Sequence, residues 1–279
     1  MFNTFNFNTT NFNTLPTLSV QVPVSGIIFN TYELQTTDIV TQILIQDNMP
    51  DRDFDTSAIP RGDGEIINGD FWRRKIVKLS GVIHKPTNED LEDELDLMKK
   101  FLAVPEGILD ITIAGTVRRY IATLINGNDM FSDRKGYHIT FCPFQAEFVC
   151  LTPFGLSPNY QSLGLVAQTN LDLSEQVNNL GTVRAKPVVI LSFTAASGVT
   201  AITFRNNTRG EEIKLTYNIG SSDYVRFDSE TLEVRVNDVL QDYEGSFPLL
   251  DTGANSFTIE IEGVSATYDL TVKHKTPYL

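Results

Sequence analysis

Three histidines, His84, His138 and His274, are the only imidazoles in the chain. Imidazole is the side chain most readily turned to proton transfer or metal binding near neutral pH. The three stand far apart, and His84 and His138 sit in β-like runs beside apolar neighbours, which suits structural histidines better than a ligand set. The sequence contains no H-E-x-x-H, C-x-x-C or G-x-S-x-G spacing and no phosphate-cradling glycine loop. Asp51-Arg52-Asp53-Phe54-Asp55 opens like a calcium loop, but its sixth position is Thr56 instead of Gly and its twelfth is Gly62 instead of Glu. Arg61-Gly62-Asp63 spells an integrin-type tripeptide, a match short enough to arise by chance in a polar loop. Cys142 and Cys150 fall in strand-like sequence and read as buried free thiols. Among 35 acidic residues no pair is marked out as an acid–base couple. These residues predict no enzyme, no catalytic or metal-binding residues and no cofactor.

Charge narrows the partners. With 22 Lys+Arg against 35 Asp+Glu in 279 residues, the net charge is −13. That sign disfavours neutralising nucleic-acid phosphates or an anionic membrane. Arg73-Arg74-Lys75 reads as cations opening a strand beside acidic residues 63, 65 and 70, not as a nucleic-acid patch. Phe71 and Trp72, at the end of a polar stretch, could anchor an interface or pack into their own core. No apolar run reaches 18 residues, and the N-terminus lacks a basic segment followed by a long apolar one, so neither a membrane span nor a signal peptide is expected.

The elements that must position these residues are mostly strands. Residues 1–16 form a low-complexity arm in which Phe2, Phe5, Phe7 and Phe12 alternate with Asn and Thr. Such phenylalanines are costly to leave in water, which favours docking on a neighbouring subunit by addition to its sheet. Strands are predicted over 18–29, 38–46, 76–84, 108–113, 117–125, 136–142 and 146–151, with Asp47–Asp70 a long polar loop. In 76–84, Val77, Leu79, Gly81 and Ile83 share one face. Residues 87–102 are the one helix. Thr87 caps it with Asp90 three residues on, acids crowd its start, and Leu91, Leu95, Met98 and Leu102 make its buried stripe.

After Thr152 the pattern fades into a linker, 153–178. From 179 to 279 the chain is all β, with strands over 187–194, 199–204, 211–217, 223–228, 231–236, 256–262 and 266–273, the spacing of a sandwich or jelly roll. The fold class is therefore mainly β: a domain over 17–152 of antiparallel sandwich or barrel-like form with one packed helix, then a β-sandwich. Tyr217, Tyr224, Tyr243 and Tyr268 could supply sugar-stacking faces, making a carbohydrate-binding module the second reading.

The order of elements resembles a known family. Arg74-Lys75-Ile76-Val77-Lys78-Leu79-Ser80-Gly81-Val82-Ile83 is similar to the strand opening the sheet in distal tail proteins of long non-contractile tailed (siphovirus-type) phages. The helix stripe, Gly107-Ile108-Leu109, Arg119-Tyr120-Ile121-Ala122 and Phe141-x-Pro143-Phe144 follow in the family's order. Asn179-Leu180-Gly181 through Pro187-Val188-Val189-Ile190 resembles the start of its C-terminal β-sandwich.

The resemblance, over residues 17–279, implies a tail-tube-like first domain that builds a ring, a galectin-like second domain, and a place at the tip of a virion tail. It implies as partners further copies of the chain in a hexameric ring, the tail tube protein, tail-tip or hub proteins and receptor-binding proteins. DNA would only pass through, without specific binding, and a glycan could touch the second domain. On this reading Phe2, Phe5, Phe7, Phe12, Phe71 and Trp72 are expected at inter-subunit contacts. Asp51, Asp53, Asp55, Asp63 and Glu65 are expected to line an acidic lumen that repels the passing genome.

Overall fold

A computed structural model of the chain describes residues 24–45, 49–59, 63–127, 130–131 and 140–279. The arm with Phe2, Phe5, Phe7 and Phe12, and His138, lie outside the described residues. In chain order the elements are β1 (Val24–Phe29), β2 (Tyr32–Glu33), β3 (Ile39–Ile45), β4 (Arg52–Ala58), β5 (Glu65–Trp72), β6 (Lys75–His84), α1 (Asn88–Leu102), β7 (Gly107–Ile113), β8 (Thr116–Leu124), β9 (Phe141–Cys150), β10 (Gly155–Gln168) and β11 (Asp172–Asn179). They continue as β12 (Val188–Ser197), β13 (Val199–Asn206), β14 (Glu211–Ile219), β15 (Tyr224–Asp228), β16 (Glu233–Val236), β17 (Val239–Gln241), β18 (Glu244–Gly245), β19 (Gly253–Glu262) and β20 (Ser265–Tyr278).

The chain divides into two compact units. Among the described residues, the first holds 24–45, 77–117, 121–127, 130–131 and 140–149. Its strands follow the order β2-β1-β7-β8-β9-β6-β3, with β1 antiparallel to β2 and β7, and β3 antiparallel to β6. Alternation along β6 buries Val77, Leu79 and Ile83 completely, as a strand with one face on a core must. Gly81 completes that row because no other residue fits: a Cβ there would lie 2.5 Å from the Phe144 ring and 2.6 Å from the Val40 carbonyl oxygen. Phe29 and Phe148 meet in the same core with ring centroids 5.0 Å apart. α1 begins where predicted, Thr87 Oγ1 accepting from the Asp90 N–H at 3.1 Å. Its buried residues are Leu91, Leu95, Met98 and Leu102, each worth about 2 kcal/mol of burial.

The second unit holds, among the described residues, 49–59, 63–76, 118–120 and 150–279. Two antiparallel sheets, β17-β16-β15-β12-β20-β10 and β11-β19-β13-β14-β18, enclose its core. Leu191, Phe193, Phe204, Phe227, Phe257, Tyr268 and Leu270 lie at its centre. Aromatic pairs knit it, Phe193 with Tyr268 at 5.7 Å and Phe204 with Phe257 at 5.9 Å. Buried amides pin the loops at one end. Asn255 takes the Asp251 N–H at 2.8 Å and donates to the Asp251 and Gly253 carbonyls, while Asn206 donates to the Leu249 carbonyl at 2.6 Å.

Two expectations are corrected. The stretch predicted as a polar loop carries the hairpin β4–β5, and the stretch predicted as a linker carries β10 and β11. Both were hidden for one reason. Strands that bury neither face fully, or that pair on one side only, need no strict apolar alternation and tolerate Gly and Pro. Residues 136–139 of the predicted strand 136–142 lie outside the described residues; from Phe141 the chain runs in one strand, β9, with Pro143 inside it, which takes in most of the predicted 146–151.

Candidate functional site

No described group of three His, Cys, Asp or Glu residues is placed to hold a metal ion. His274 is buried in β20, and His84 is exposed at the end of β6, unlike the packed structural residue expected there. Cys142 and Cys150 are buried, and neither forms a disulfide. Burial pushes the Cys150 thiol up to about 12, which keeps it protonated and unreactive at neutral pH. Tyr268 is fully buried, its hydroxyl donating to the Asn170 carbonyl at 2.8 Å, so it offers no stacking face. Tyr217 and Tyr243 are exposed, and Tyr243 stands edge-on to Phe247 at 4.9 Å.

What the molecule does present is the β4–β5 hairpin. Its register runs Arg52↔Trp72, Asp53↔Phe71, Phe54↔Asp70 and Asp55↔Gly69, then after a bulge Thr56↔Ile67, Ser57↔Ile66 and Ala58↔Glu65. Among the described residues it forms a two-stranded sheet of its own. A solitary two-stranded ribbon is marginal in water, and this one exposes large apolar groups: Phe54 is 52% accessible, Ile66 51%, Ile67 60% and Phe71 65%. Its base is anchored. The Arg52 guanidinium lies 4.5 Å from the Trp72 ring centroid and 5.7 Å from that of Phe54, and Trp72 meets Phe154 edge-on at 5.9 Å. The predicted pair therefore separates, Trp72 serving the hairpin's foot while Phe71 faces solvent.

The predicted acidic residues share this hairpin. Asp51, Asp55, Asp63 and Glu65 are exposed. Asp53 accepts from the Arg73 guanidinium, whose affinity for its proton rises through that bond. The Asp51-Asp53-Asp55 run lies along extended chain, so it does not curl into an ion loop. Arg73 also closes the hairpin by donating its N–H to the Asp51 carbonyl at 2.7 Å.

A second charged surface lies on the first unit. Asp38, Lys85, Pro86, Asp90, Asp93, Glu94, Asp96, Leu97 and Lys100 line an open groove of about 680 Å³. Lys85 Nζ bridges Glu94 at 2.8 Å and Asp38 at 3.0 Å, and its pKa is raised by those two bonds, Glu94 first. The Tyr32 hydroxyl donates to Glu94, and burial is the main cause holding that phenol protonated. Helix acids and lysine neutralise one another here, a solvated face more than a site.

Residues 180–278 match the family model of the siphovirus-type tail component, C-terminal domain. No curated protein matches the chain. The crystal structure of the SPP1 Dit protein, described as a paradigm of the hub adsorption apparatus in phages infecting Gram-positive bacteria, aligns with a TM-score of 0.64 at 13% identity. The alignment covers 90% of this chain and 98% of that one. Chains of the phage P2 baseplate in its activated conformation, with calcium or strontium, align at TM-scores of 0.43 and 0.42 and 8% identity. They cover 88% of this chain and 92% and 97% of theirs. The chain thus resembles the distal tail proteins of siphovirus-type phages, in sequence through residues 180–278 and in fold along nine-tenths of its length.

Proposed function

We propose that the chain is a structural component of a phage tail tip. Copies join head-to-tail into a ring, six to a turn, that links the tail tube to hub and receptor-binding proteins. The observation that carries this reading is the β4–β5 hairpin. Among the described residues the ribbon pairs with no further strand and leaves four large apolar side chains in water, which favours a partner that covers it. A head-to-tail contact between copies supplies such a cover, and the same contact repeated closes a ring. Phe71 then meets the neighbouring copy, while Trp72 holds the hairpin's foot. Asp51, Asp55, Asp63 and Glu65, exposed on the same element, give the bore a negative lining, over which a genome slides without sticking.

Light scattering tests the assembly. The 31.2 kDa chain is expected at about six times its mass. Ile67→Ser with Phe71→Ser is expected to shift the population to monomer with the urea midpoint of the monomer unchanged. A chain that stays monomeric at high concentration overturns the proposal. A ring imaged with the hairpins outward and a basic bore overturns the lumen assignment.

A further inference from the structure

The sandwich of the second unit has one edge that does not look finished. β10 pairs along one side with β20, one residue to one from Tyr160↔Lys275 to Leu165↔Leu270. On its other side the described strands supply only the Leu156↔Arg119 bridge. Among the described residues, its outward amides and carbonyls from Tyr160 to Leu165 therefore form a regular, open ladder. Beyond it, Ala167 turns into the left-handed region at φ 52° and its N–H goes to Asp269 Oδ1 at 2.7 Å, which ends the ladder. Open edges are normally blunted by charge, proline or shortness. The sandwich's other edges obey this: β17 has three residues, β18 two, and β11 carries Asp172 and Glu175. Residues 159–168, Asn-Tyr-Gln-Ser-Leu-Gly-Leu-Val-Ala-Gln, hold no charge at all in a chain where one residue in five is charged. Leu163 and Leu165 share one face of this strand and are only partly buried against the core. Ser162 and Gly164 share the other, with nothing within 4 Å of where a Gly164 Cβ would lie.

We propose that this edge receives the N-terminal Phe/Asn/Thr segment of a second copy of the chain as an added strand. The segment has matching chemistry. The first charged side chain of the chain is Glu33, so pairing residues 3–8 along Tyr160–Leu165 brings no charged side chain to the edge; the charges already beside it, Lys273 and Lys275 over the Tyr160 ring and Glu230 at its hydroxyl, stand at the Tyr160 end. Phe5 and Phe7 are two apart, as Leu163 and Leu165 are, and so fall on one face of the new strand. There they extend the apolar row and gain burial that neither partner has alone. Thr4, Asn6 and Asn8 fall on the other face, beside Ser162 and the open space at Gly164. Main-chain bonds supply affinity and the paired phenylalanines supply register, the logic of strand addition. The choice of a second copy as donor rests on the self-assembly proposed above; the receptive edge does not.

Disulfide trapping in the full chain tests it. Asn6→Cys chains and Ser162→Cys chains, mixed and oxidised, are expected to give a cross-linked species of twice the chain mass. Each variant oxidised alone sets the background. Adding Gly164→Glu to the Ser162→Cys chain puts a charge on the edge where the space is open, and is expected to cut the yield at least fivefold. No cross-link while light scattering still shows the assembled mass overturns this proposal and leaves the ring. No cross-link in a chain that is monomeric throughout overturns both. A chain carrying both cysteines that yields only the product closed within one chain overturns the second copy as donor.

Discussion

At the residue scale, two positions hold more of the structure than their size suggests. Arg209 donates to Glu211 at 2.6 Å and to Asp251 at 2.9 Å, while Glu211 accepts the Leu249 N–H at 2.9 Å. One guanidinium thus ties the start of β14 to Asp251, and Glu211 carries the link on to Leu249. The Arg209 bond is the main cause holding the Glu211 carboxyl below its ordinary value near 4.5. Arg209→Met is expected to cost about 2 kcal/mol at pH 7, read as a lower urea midpoint at constant slope. The Glu211 share of that cost is present above its ordinary pKa and is lost as pH falls and the carboxylate protonates, so the gap between the two proteins narrows below about pH 4. Gly81→Ala forces a methyl into the Phe144 ring and the Val40 carbonyl. An expected loss of about 1–3 kcal/mol in the same assay follows from overpacking. The glycine was legible in the sequence as part of a buried row, but its reason was not, because Phe144 lies far along the chain.

At the scale of elements, α1 shows how much local chemistry can settle. Its cap, acidic start and apolar stripe are all short-range signals, and each is where the sequence places it. Thr87→Ala removes the acceptor for the Asp90 N–H and is expected to lower stability by about 1 kcal/mol in thermal unfolding, with the helix otherwise intact. The strands β4, β5, β10 and β11 show the opposite. Their sequence is largely polar, with Gly69 inside β5 and Pro158 and Gly164 inside β10, and β11 has just two apolar residues, Leu173 and Val177, too few to set a period. Of the candidate site, the composition of the hairpin was legible, with its acids and its terminal Phe71-Trp72. Its form was not, since six residues separate β4 from β5, Asp63-Gly64 stands at the end of that stretch instead of at a two-residue spacing, and Asn68-Gly69 falls inside β5.

At the scale of the whole molecule, one buried titratable group sets an acid limit. His274 is 1% exposed, and burial lowers its pKa from the ordinary 6.5. As pH falls through that value the unfolded chain takes up the proton first, so stability falls on acidification by up to about 1.4 kcal/mol per pH unit. Unfolding by urea at pH 7 and pH 5 is expected to show this slope in the natural protein and to lose that part of it in His274→Gln. A slope unchanged by the substitution assigns the acid sensitivity elsewhere.

The sequence by itself determined the mainly-β class, the helix and its buried stripe, the negative balance and the lack of recognisable catalytic spacing, because these rest on residue type and local period. Only the tertiary structure decided that the polar stretch before Trp72 is, among the described residues, a two-stranded ribbon anchored at its base, that Tyr268 turns inward, and that the stretch after Thr152 forms two edges of a sandwich. Those outcomes depend on which strands find partners, and a pairing energy is shared between segments distant in sequence, so neither segment carries its sign alone.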